Sequence, residues 1–168
     1  MEDLENAVLR KRFEATEKVV MALIAVPLVP FIIVYLYVSS DVVEVPVPEL
    51  SLWLRDALLW GSIGLIAVHY VRFHRAIKPA KERVHMPIEE KMERYADASV
   101  QRFVTLFISG LLLTAGLFFF QDPMFTLGFA AVIIFMSLGK PTADRIVRLL
   151  RLKGEERKMV EQLRKRIG

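Results

Sequence analysis

Residues 19–38, "VVMALIAVPLVPFIIVYLYV", carry no charge over twenty positions. A helix of that length crosses a hydrocarbon core of about 30 Å. Lipid cannot satisfy open backbone groups, so such a run folds as a helix unless it alternates like a barrel strand, and this one does not. A cleavable signal core would be shorter and would be followed by a small-residue cleavage site, which is missing.

Three more apolar runs follow. The second spans about 52–71, with Arg55 and Asp56 near one end; the third is 103–120 and the fourth about 124–139. The last two are separated only by a turn built on Asp122-Pro123. The expected fold is therefore all-α: an integral membrane protein of four transmembrane helices in two helical hairpins, plus cytoplasmic amphipathic helices. Its parts are a helical N-terminal segment, 1–18, a transmembrane domain, 19–139, with a long loop at 72–102, and a basic amphipathic tail, 140–168. A hydrophobic content of 54% agrees with this class.

Charge placement orients the spans. Of 23 Lys and Arg residues, four lie before the first span, eight in 72–102 and ten from Lys140 onward. The segment 39–51 has three acids and no base, and Arg55 is the single exception to the asymmetry. The positive-inside rule then predicts an inner- or plasma-membrane protein with both termini and the long loop cytoplasmic. Bases so unevenly placed do not describe a nucleic-acid surface, and no nucleic-acid partner is expected.

Within the spans, Pro27 and Pro30 predict a kink, and Gly61, Gly64, Gly110, Thr114 and Gly128 offer small surfaces for helix packing. The loop 72–102 reads as an irregular basic stretch, then as an interfacial helix from Pro87 that turns into the third span. In that helix Ile88, Met92, Tyr95 and Ala96 share a face, and Glu90 can pair with Arg94.

The segment "LGKPTADRIVRLLRLKG", 138–154, admits three readings. A phosphate-binding loop fails because position 134 is Ile and Lys140 is followed by Pro. A voltage sensor fails on energy. Three arginines at a bilayer centre cost roughly 9 kcal/mol, and five aliphatics return only about 2.5. What remains is a membrane-surface strap, with Ile146, Leu149 and Leu150 toward the acyl boundary and Arg145, Arg148 and Arg151 toward anionic head groups of the cytoplasmic leaflet. Leu152 alone breaks that division. Beyond Gly154 a second seam of Met159, Val160, Leu163 and Ile167 is expected to need a partner or the membrane.

Chemistry is sparse. With no cysteine, thiolate metal sites and cysteine nucleophiles are excluded. Arg55, Asp56 and His69 are the ionisable groups inside the spans, each near an end, and Arg55–Asp56 reads as a neutralised pair without a third charged partner. His69, His74 and His85, at spacings of five and eleven, do not present two ligands on one face at one depth, so His69 could ligate a cofactor only together with a partner chain; no cofactor is expected. The leading expectation is a small non-enzymatic scaffold or accessory subunit that binds other membrane protein chains, in a hetero-complex or a homo-oligomer. The alternative is a homo-oligomeric channel or permease lined by hydroxyls such as Ser62, Thr105, Ser109, Thr114, Thr126 and Ser137. A membrane-shaping hairpin protein is the weaker alternative.

Overall fold

The computed structural model describes residues 2–40, 48, 50–82 and 86–165, with side-chain environments from position 10 to 161 within them. Most of the acidic segment, His85, and the Leu163 and Ile167 side chains lie outside that description. Every described element is a helix: α1 (Glu2–Ala25), α2 (Leu28–Ser39), α3 (Leu52–Glu82), α4 (Ile88–Phe120), α5 (Pro123–Gly139), α6 (Ala143–Leu150) and α7 (Gly154–Lys165).

By length and composition, two stretches can cross a membrane, Arg10–Ser39 and Ile88–Phe120. Pro123–Gly139 with Ala143–Leu150 makes a third if counted as one broken stretch. Two or three, not clearly four, is the number. The apolar part of α3 falls short because Arg55, Asp56 and His69 dilute it, and α5 has only 17 residues.

The chain divides into two compact units. Unit 1 comprises 1–20, 71–102 and 140–168; unit 2 comprises 21–70 and 103–139. The division follows the charge. Unit 1 holds 22 of the 23 bases with 14 acids, while unit 2 holds Arg55 with five acids.

Unit 1 gathers segments distant in sequence around one core. Phe13, Phe73, Ile77, Met92, Tyr95, Ile146, Leu150 and Val160 are buried together, each side chain removed from water by the others. This core explains why 72–82 is helical rather than irregular. Phe73, Ile77 and Ala80 recur at the i, i+4, i+7 spacing of one helix face and are buried, which carries α3 on to Glu82 despite Pro79. The expected turn into the third span is also absent. α4 runs unbroken for 33 residues, about 50 Å, because nothing between Ile88 and Phe120 breaks a helix.

In unit 2 the first apolar run is interrupted where proline requires it. α1 stops at Ala25, and α2 restarts at Leu28 with Pro30 in its first turn, where a missing N–H leaves no bond unmade. Pro27 is buried near Gly110, and Phe31 stacks on Phe129 at 3.7 Å between ring centroids.

The α4–α5 hairpin is closed by its own turn residues. Gln121 takes the left-handed conformation (φ 50°), and its N–H reaches the Leu117 carbonyl at 2.9 Å. Asp122 caps α5, its Oδ1 accepting from the Met124 N–H at 2.8 Å, and Pro123 opens the helix. Glycine then lets the two helices touch. A Cβ on Gly116 would run into the Phe125 ring, and one on Gly128 would come within 2.8 Å of Leu113.

Candidate functional site

The tail begins with a capped helix. Thr142 accepts a hydrogen bond from the Arg145 N–H at 3.3 Å and starts α6. Arg151 ends it in the left-handed conformation (φ 55°), and the Leu152 N–H returns to the Val147 carbonyl at 3.0 Å. That six-to-one bond is a Schellman closure, which commonly buries the residue after the left-handed one. Leu152 is buried accordingly, which accounts for its break with the helical pattern. The helix thus stops four residues before Gly154.

The arginine arc and its aliphatic partners separate differently from the strap reading. Ile146 and Leu150 belong to the unit 1 core, with Leu149 packed against it, so this chain's own side chains cover the face expected to meet lipid. Arg148 and Arg151 are exposed, and Arg145 is half-buried. Only the arginine side is left as surface, with Arg151 presented by the turn rather than by the helix.

α7 is tied to α4 by an ion pair. The Lys91 ammonium, buried in unit 1, donates to both carboxylate oxygens of Glu156 at 2.8 and 3.0 Å. Nearby, Arg12 of α1 pairs with Glu93 of α4 at 2.8 Å. The two helices line a cavity of about 270 Å³ with Phe13, Met92, Tyr95 and Pro141. The Glu90–Arg94 pair forms as expected, at 3.0 Å.

Tyr95 is almost fully buried, at 2% exposure. Burial pushes its phenol pKa up; the hydrogen-bonded Ser99 hydroxyl and the positive charges of Arg145 and Arg102 act against that shift. Arg102 is itself buried, its guanidinium 5.1 Å above the Phe73 ring.

In unit 2, Arg55 and Asp56 do have a third charged partner. Arg55 donates from Nε to Asp122 Oδ2 at 2.8 Å and from Nη2 to the same oxygen, while Nη1 reaches Asp56 Oδ1 at 2.8 Å. The reading of an isolated pair is corrected: α3 is fastened to the α4–α5 turn, a link that sequence separation hides. Asp122 is held below its ordinary carboxylate range, first by the Met124 N–H and then by Arg55.

His69 is buried with its ring edge-on to Phe135 at 5.5 Å, away from any surface position. His74 lies edge-on to Phe73. Among the described residues, no group of three or more His, Asp or Glu is placed to hold a metal. Three of the candidate pore-lining hydroxyls are turned to backbone carbonyls: Ser62 to Leu58, Ser109 to Ser62 and Thr114 to Gly110.

The small residues fall into two groups. Gly110 and Gly128, with Gly116, meet other side chains, and Thr114 is buried beside them. Gly61 and Gly64 meet nothing: a Cβ on either would find no atom within 4 Å. They share an exposed face of α3 with Trp53, Ala57, Trp60 and Val68.

No family model, no curated protein and no solved structure matches the chain.

Proposed function

We propose that the chain is a small, non-enzymatic, four-span scaffold or accessory subunit of an inner or plasma membrane. In this reading unit 1 and both termini are cytoplasmic, and partner chains are bound through the spans. The segregation of 22 bases into unit 1 supports the orientation. The exposed apolar side chains of unit 2, among them Ile33, Leu36, Leu127 and Leu138, suit lipid or a neighbouring span.

The observation that carries the binding role is the contrast between the glycines. Gly110, Gly116 and Gly128 are used for close approach inside the chain, whereas Gly61 and Gly64 are left open on the face of α3 that also exposes Trp53 and Trp60. Glycine weakens a helix relative to alanine and returns that cost where another helix packs on it. The open pair is the surface for another chain's helix. A pore gains no comparable support, because Ser62, Ser109 and Thr114 are spent on backbone carbonyls.

The test is the mass of the purified assembly in nanodiscs. Wild type should run as a complex larger than one 19.3 kDa chain. Gly61→Leu with Gly64→Leu should release it as a folded monomer. A discrete homo-oligomer indifferent to both substitutions would favour the channel, and a wild-type monomer would end the subunit reading.

A further inference from the structure

The unit 1 cavity between α1 and α4 has a floor and a rim of different chemistry. Its floor is apolar: Phe13, Met92, Tyr95 and Pro141 line it and are buried. Its rim carries the exposed side chains of Arg12, Glu93 and Asp97. The volume of 270 Å³ falls just below that of sites for drug-sized ligands, which start at about 300 Å³, so it suits a smaller molecule.

The rim leaves one charge unanswered. Glu93 and Asp97 stand four residues apart on α4, so their carboxylates share a face and repel one another. Arg12 pairs with Glu93 at 2.8 Å, while Asp97 has no hydrogen bond or ion pair among the described residues. The Thr16 hydroxyl, also in the lining, donates to the Arg12 carbonyl at 2.9 Å. Two acids therefore face one base on this rim, in a unit where bases outnumber acids by 22 to 14.

A carboxylate at the edge of an apolar hollow complements a cation with an apolar body. Such a body leaves water for the floor, and its charge stays at the rim beside Asp97. An anion would meet Asp97 with Arg12 already engaged. A neutral body would gain the floor alone and leave the carboxylate without a counter-charge.

We propose that this cavity binds a small organic cation, an ammonium carrying an aryl or alkyl body, with Asp97 as its counter-charge and Phe13 and Met92 beneath the body. The site lies wholly within unit 1 and depends neither on the membrane placement nor on the surface at Gly61 and Gly64.

A titration of the full chain with 2-phenylethylammonium, in phosphatidylcholine nanodiscs and with carbon-13-labelled methionine methyls, reads the site at Met92. Met92→Leu identifies the signal, and a floor residue separates binding in the cavity from partition of the amine into lipid. Met92 should shift saturably with the cation, require at least about fivefold more 2-phenylethanol, and not respond to phenylacetate. Asp97→Asn should raise the half-saturating concentration of the cation about fivefold, the upper end for an ion pair at an open rim. Glu155→Gln, the same charge change at an exposed position of α7, should move it by less than about twofold. Ala15→Leu narrows the cavity from its exposed side without changing charge. It should abolish the shift, and it decides the matter if Asp97→Asn does not fold.

Equal responses to the cation and the alcohol would overturn the proposal, as would an unchanged half-saturation in folded Asp97→Asn. A Met92 shift that never saturates, or that persists in Ala15→Leu, would be partition into lipid and would overturn the site itself.

Discussion

Arg55 and Asp122, 67 positions apart, are joined by two guanidinium N–H donors that converge on one carboxylate oxygen. The same carboxylate caps α5 through Met124, so one side chain both starts a helix and fastens α3 to the hairpin. Arg55 is the single base outside unit 1, and this bond supplies a structural reason for the exception.

Asp122→Ala should therefore cost more than loss of a helix cap alone, which is typically about 1 kcal/mol. The pH dependence has a definite sign. A carboxyl held below its ordinary value of 3.8 contributes stability above that value and loses it as pH falls through the lower, folded pKa. Unfolding midpoints in mild detergent should hold down to about pH 5 and then drop as pH falls through and below 3.8 for wild type, and less for Asp122→Asn. An equal drop in both would show that Asp122 contributes nothing to acid sensitivity.

The glycines predict opposite outcomes for one kind of change. Gly116→Ala forces its methyl into the buried Phe125 ring and should destabilise the hairpin by about 1–3 kcal/mol. Gly64→Ala meets open space and should leave the isolated chain's thermal midpoint unchanged or slightly raised. Comparable losses in both would contradict the close approach at Gly116.

The Lys91–Glu156 pair makes the third prediction. Glu156→Gln leaves a buried ammonium without its counter-charge, and should cost up to about 3 kcal/mol, the low end for buried pairs, because Glu156 is one-third exposed. α7 should then exchange its amide hydrogens faster. Adding Lys91→Met should restore protection; a double variant as loose as the single would show that the pair does not hold α7.

Much of this was legible in the letters. The helical class, the proline break, the Asp-Pro turn and the Glu90–Arg94 pair follow from local rules that act within a turn or two. Four features did not. Phe73, Ile77 and Ala80 mark a buried face, but the bases among them mask it, so 72–82 looked irregular. Ile146 and Leu150 carry a clear amphipathic signal that names an apolar neighbour without saying whether it is lipid or protein. Arg55–Asp122 has no local signature at all; a lone base opposite an acidic turn was the available hint. Gly61 and Gly64 looked the same as Gly110 and Gly128, and only their surroundings separate them.

The proposed placement of unit 1 on the cytoplasmic side is the account's central claim, and the absence of native cysteine makes it directly measurable. Single cysteines at Ser40, Ala76 and Lys153, all exposed positions, would be treated in intact cells with a membrane-impermeant thiol reagent. Only the cysteine at 40 should be labelled from outside, with 76 and 153 reacting after the membrane is opened. Labelling of 76 or 153 in intact cells would contradict the account.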